Sequence, residues 1–130
     1  MTTSLLLAAT QAFAAPPLVG TWFGQGQPQD KGAMYIDRME AGGAFHAHHR
    51  FCRNGKPSDT FVDGTWSVKG DIMTIQIATV DGQPNPRTDE YRVLSVDAGR
   101  ERYVYLPLNF PYTAKKVGAD FAMPSCELVS

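Results

Sequence analysis

A chain of 130 residues holds one ordinary core and is too short for two, and its 43% apolar and 19% charged residues are those of a folded globule rather than a disordered segment. Twelve Lys and Arg against thirteen Asp and Glu leave it nearly neutral, and no run of like charges is longer than a pair, with Lys115-Lys116 the one adjacent basic pair. That excludes a basic nucleic-acid footprint and an acidic tail.

Residues 1–15, MTTSLLLAATQAFAA, carry no charge. The run Leu5-Leu6-Leu7-Ala8-Ala9 followed by Ala12-Phe13-Ala14 matches the apolar stretch and small-x-small cleavage site of a secretory leader. The competing reading is a short N-terminal helix, capped at Thr3 or Ser4, that packs on the domain. The run falls short of the ~20 apolar residues that span a bilayer, so no integral membrane segment is expected. Residues 16–130 then form a single domain, and the expected location is periplasmic or secreted. Cys52 and Cys126 suit that compartment if they pair; a bridge closing so long a loop constrains the unfolded chain by roughly 4 kcal/mol. Two buried thiols in a cytoplasmic protein are the alternative.

Beyond Pro16-Pro17 the chain reads as short extended runs over 19–25, 34–39, 44–52, 61–68, 71–80, 90–96 and 102–106, with a last pairing segment within 112–129. Glycine-bearing turns separate many of them, among them Asn54-Gly55, Lys69-Gly70-Asp71, Asp81-Gly82 and Asp97-Ala98-Gly99, each with a residue that tolerates positive φ. The clearest alternation is over 72–79, where Met73, Ile75 and Ile77 share one face. Phe45, Ala47, His49 and Phe51 share a face opposite His46, His48 and Arg50. Tyr91, Val93 and Ser95 oppose Arg92, Leu94 and Val96. No long 3.6-residue periodicity runs free of Gly or Pro. The expectation is an all-β fold, a seven- or eight-stranded antiparallel meander that removes its exposed edges by closing into a small barrel.

Two segments carry a resemblance. Leu18-Val19-Gly20-Thr21-Trp22-Phe23 resembles the Gly-x-Trp opening of the first strand in lipocalin-like (calycin) barrels, where the tryptophan plugs one end. The stretch Asp63-Gly64-Thr65-Trp66 through Asp71-Ile72-Met73-Thr74-Ile75 is similar to the Gly-x-Trp hairpin of small lipocalin-like domains. The resemblance implies a fold and no chemistry. The late arginine that stacks on the tryptophan in that family has no evident counterpart here. Avidins share the Gly-Thr-Trp opening, but their biotin site needs more tryptophans than Trp22 and Trp66.

The chemistry-bearing residues are few. His46-Ala47-His48-His49 holds all three histidines. On a strand His46 and His48 project together, roughly 7 Å apart at ~3.4 Å per residue, close enough for two imidazoles to grip one ion. His49 points the other way, and no third ligand is spaced for the pair, so no dedicated metal site is expected, with His46 and His48 the only weak candidates. There is no nucleophile elbow and no glycine-rich phosphate loop, so no catalytic residue and no cofactor is assigned. The carboxylates of Asp71, Asp81 and Asp97 are explained by turns.

The leading expectation is a non-enzymatic binding module for a small apolar or amphipathic ligand, with Phe45, His49, Phe51, Met73, Ile75 and Tyr91 lining the lumen. A second reading is an interaction or inhibitor domain that docks on a protein partner through the proline-broken loop bearing Leu106, Leu108, Phe110 and Tyr112. A third is a small barrel enzyme or metalloprotein built on the His46/His48 pair.

Overall fold

A computed structural model describes residues 15–128. The expected leader lies outside the described residues except for Ala15, which opens a single helical turn, Ala15–Leu18. Eight antiparallel strands then follow in order: β1 (Gly20–Gln27), β2 (Asp30–Met39), β3 (Ala44–Arg53), β4 (Lys56–Lys69), β5 (Ile72–Val80), β6 (Gln83–Val96), β7 (Arg100–Tyr105) and β8 (Phe110–Val117). Each pairs with the next, and β8 returns to β1, with Thr21 opposite Val117, Trp22 opposite Lys116 and Phe23 opposite Lys115. The meander is a closed barrel.

Three details depart from the sequence reading. β4 and β6 begin earlier than expected because Pro57, Pro84 and Pro86 are accommodated at their exposed outer ends. β8 begins at Phe110 and includes Pro111. The Pro111 carbonyl accepts a hydrogen bond from the Gln29 side chain (3.0 Å), so the position of its missing N–H faces β1 where the two strands are not backbone-paired. The third departure is a bulge between Val93 and Ser95, which rotates Ser95 out and packs Val96 against the core instead.

The end of the barrel bearing the β2–β3, β4–β5 and β6–β7 turns is closed. Trp22 is 0% exposed there, and its indole N–H donates to the carbonyl of Leu18 (2.9 Å), tying the helical turn across the opening. The cation stacked on the ring is Lys116, 5.4 Å from the ring centre, with its ammonium also donating to the Val19 carbonyl (3.0 Å). Lys116 reaches that position because Gly20 has no Cβ: one would lie 2.5 Å from Lys116 Cε, and the backbone φ of +140° is glycine territory. This gives the Gly-x-Trp pattern a physical reason in this chain.

Outside the barrel, Phe23, Met34 and Ile36 make a second apolar cluster, covered by the chain that follows β8. Phe121 packs on Phe23 (ring centres 5.0 Å apart), the Pro124 carbonyl accepts from Arg50 (3.0 Å), and a disulfide joins Cys126 to Cys52 on β3. The bridge closes a separation of 74 residues and fastens this strap across β1, β2 and β3.

Candidate functional site

The opposite end, bearing the β1–β2, β3–β4, β5–β6 and β7–β8 turns, is open. The seam between β1 and β8 is backbone-paired only at its closed end. Toward the mouth the Gln27 side chain takes over, donating to the Thr113 carbonyl (2.9 Å) and accepting from the Thr113 N–H (3.0 Å). A side-chain amide thus replaces the ladder and lets the two strands part at the mouth.

Below the mouth the lumen holds two adjoining cavities. One, of about 320 Å³, lies against β2 and β3; the other, of about 230 Å³, runs down against β4, β5 and β6. Asp37, His49, Thr60, Tyr91 and Tyr103 line both. Phe45, Met73 and Ile75 form part of the apolar floor of the second cavity, and Phe51 stands at the rim of the first. His49 and Tyr91 stand between the two. The six side chains expected on the inner face therefore surround the lumen.

What the sequence reading missed is the polarity of that lumen. All five tyrosines of the chain gather on one side of it. Tyr91 lies 5.4 Å from Tyr103 and 5.3 Å from Tyr105, Tyr103 stacks on Tyr112 at 5.4 Å, and Tyr112 meets Tyr35 edge-on at 6.1 Å. The Tyr35 and Tyr103 hydroxyls share a short hydrogen bond of 2.5 Å. Burial, reinforced by nearby carboxyl groups, holds the Tyr35, Tyr91 and Tyr103 phenols above their ordinary range, so they stay neutral. Tyr35 fits because Gly24 on β1 faces it without a side chain; a Cβ there would collide with the Tyr35 ring.

Beside the tyrosines stand two carboxyl groups. Glu101 on β7 is 1% exposed, and its Oε1 has no hydrogen-bond partner. Asp37 on β2 borders both cavities, and its Oδ1 is fully covered and likewise unpartnered. Desolvation pushes the Asp37 carboxyl up to about 7, although the adjoining cavity admits water to part of the residue. Burial, and then the Asp37 charge, raise Glu101 well above the carboxylate range. A third inward carboxylate, Asp89, is answered by Arg87 (3.2 Å). His49 is open to lumen water on one side but walled by protein elsewhere, and desolvation, then His48 and Arg87, depress its pKa. It is therefore neutral near pH 7.

His46 and His48 lie outside the barrel. His46 Nδ1 meets Asp63 (2.5 Å) and its Nε2 faces Glu40 (3.4 Å). His48 bonds Asp59 (3.1 Å) and stacks on Phe61 at 4.3 Å. Asp59 is also held by Arg50 through two hydrogen bonds (2.7 and 3.1 Å), which keep its carboxyl below the ordinary range. Each imidazole has its own carboxylate, and among the described residues no three His, Cys, Asp or Glu side chains converge on one point. Of the loop residues, Leu108 is 59% exposed, whereas Leu106, Phe110 and Tyr112 are half-buried around the mouth.

No protein-family model matches the chain, and no curated protein matches its sequence.

Proposed function

We propose that this chain is an exported, lipocalin-like binding protein whose barrel lumen holds one small amphipathic ligand, without chemistry on it. The observation that carries this reading is the pair of adjoining cavities under an open mouth, inside a barrel whose other end is closed by Trp22 and Leu18. Small-molecule sites are concave, apolar for the most part and furnished with a few placed polar groups, at volumes from ~300 Å³ upward. A floor of Phe45, Met73 and Ile75 below Asp37, His49 and the tyrosines has that composition. The closed barrel and the cation-stacked Trp22 support kinship with calycins, and the Cys52–Cys126 disulfide suits an oxidising compartment outside the cytoplasm. Among the described residues no helix is long and apolar enough to cross a membrane.

The test is binding of the apolar fluorophore Nile red to the purified protein and to Thr60→Trp. Thr60 borders both cavities, so an indole there fills the shared space without touching the closed end. Saturable 1:1 binding by the parent, lost in a Thr60→Trp variant of unchanged circular dichroism, is the expected result. Equal binding by both proteins would place the site elsewhere and refute the lumen reading.

A further inference from the structure

The lumen side of the barrel contains carboxyl groups that the protein itself leaves unanswered. Asp37 Oδ1 and Glu101 Oε1 are buried and have no hydrogen-bond partner, and Asp37 borders both cavities. The cations nearby are committed elsewhere. Arg87 is on Asp89 at 3.2 Å, and Arg50 is on Asp59 at 2.7 Å and on the Pro124 carbonyl at 3.0 Å. His49 is neutral near pH 7. An anionic ligand would therefore meet the unpartnered Asp37 carboxyl and, among the described residues lining the lumen, no free positive charge.

The tyrosine wall points to the same sign of ligand. Aromatic faces carry negative quadrupole charge and attract ammonium groups, most strongly where water is excluded. Four of the five tyrosines, Tyr35, Tyr91, Tyr103 and Tyr112, border a cavity that also holds Asp37. Carboxylate and π-faces together make a cation site, and the apolar floor below them takes an uncharged body.

Resting on the lumen-binding reading above, we propose that the ligand is a small organic cation, an amine on an aromatic or aliphatic body, with the Asp37 carboxylate as its counter-ion and the tyrosine wall around its charged end. The binding is linked to protons. In the empty lumen Asp37 carries its proton over much of the acid range, and a bound ammonium requires it ionised, so binding below pH 7 displaces that proton into solvent. The titratable groups that sense the Asp37 charge are Tyr35 on its own strand, Tyr91 on β6, and Glu101 and Tyr103 on β7; His49 on β3 and Arg87 on β6 border the same lumen. The tyrosines stay neutral in the relevant range, and His49 is held below its ordinary value. Glu101, raised in part by the Asp37 charge, lines neither cavity, so Asp37, coupled to Glu101, is the group through which a bound ammonium senses pH.

The experiment is isothermal titration calorimetry with three probes of one shape: 2-phenylethylamine, 2-phenylethanol and 3-phenylpropionate. At pH 8 the amine should bind roughly 10- to 100-fold more tightly than the alcohol, the worth of one charge-assisted hydrogen bond, and the propionate should bind weakest. The amine's affinity should fall about tenfold between pH 8 and pH 6, following the ionised fraction of a group titrating near 7, while the alcohol's stays level. In Asp37→Asn the amine should lose its advantage and the alcohol should keep its affinity. The pH profile of the parent tests the same point without relying on the variant's folding. Equal binding of amine and alcohol at pH 8 overturns the cation assignment and leaves the lumen reading standing. Tightest binding of the propionate overturns it in favour of protonated carboxyls acting as donors. If no probe binds and Nile red does not bind either, the lumen reading and this one fail together.

Discussion

Replacing Asp37 with Asn separates what the lumen needs for stability from what it needs for a ligand. The sign follows from the direction of the shift. A carboxyl raised to about 7 in the folded state, from the ordinary 3.8, binds its proton more tightly folded than unfolded. Its contribution is fully present below pH 3.8 and is lost progressively as pH rises from there through 7. A difference of about three pH units corresponds to a ceiling of roughly 4 kcal/mol, at about 1.4 kcal/mol per unit. The adjoining cavity lets water reach part of Asp37, so the realised cost of ionising it should be about 1–3 kcal/mol. Asp37→Asn keeps the shape and removes the ionisation. Urea unfolding of both proteins at pH 3.5, 5, 6, 7 and 8 should show near-equal stability at pH 3.5, a gap that opens from about pH 4 toward 7, and a variant more stable by about 1–3 kcal/mol at pH 8. The other carboxyls are common to both proteins, so the difference between the curves reports Asp37 together with its coupling to Glu101. Parallel curves across the range, or a variant less stable at pH 8, would refute the argument that Asp37 is a buried charge without a partner.

Trp22→Ala deletes the plug of the closed end and should cost about 3–5 kcal/mol in urea unfolding; a melt within a few degrees of the parent contradicts the role given to it. Gly24→Ala should cost about 1–3 kcal/mol, because the new methyl displaces the Tyr35 ring, and should change tyrosine absorbance as the Tyr35–Tyr103 hydroxyl pair separates. Thiol labelling of denatured, unreduced protein should find no free cysteine, and removing both with Cys52→Ser/Cys126→Ser should cost about 2–5 kcal/mol; two titratable thiols would refute the bridge. His46→Ala/His48→Ala should melt close to the parent, and stoichiometric Zn²⁺, Cu²⁺ or Ni²⁺ should shift neither; strong metal stabilisation of the parent alone would make the outer histidines a metal site.

The order of strands was legible because turns and alternation are local properties. Asn54, Asp81, Gly55, Gly70 and Gly82 take the positive φ that their turns require, and Met73, Ile75 and Ile77 face inward as their spacing dictates. The disulfide was legible as an option, and the inner face of β3 followed from Phe45 and Ala47. The lumen's carboxyls were not legible, for a physical reason. β2 is apolar on both faces: Tyr35 and Met39 point into the barrel with Asp37, while Met34 and Ile36 lie under the C-terminal strap. Alternation alone cannot tell which face is inside when long-range packing covers both. Glu101 was hidden by a rule that normally holds, that a carboxyl on a short strand faces water. The signal that could have found these residues was the repeated pairing of an acid with a tyrosine two positions away: Tyr35 and Asp37, Asp89 and Tyr91, Glu101 and Tyr103. Ser95 was misplaced because a bulge leaves no mark in the local pattern.

Native mass spectrometry of protein purified from its own host, without denaturation, tests the central claim most directly. The account predicts a stoichiometric adduct of one small organic molecule on the parent, released on unfolding and absent from Thr60→Trp prepared in the same way. An adduct carried equally by the parent and by Thr60→Trp, or a bare polypeptide mass in a protein that also fails to take up Nile red, would contradict it.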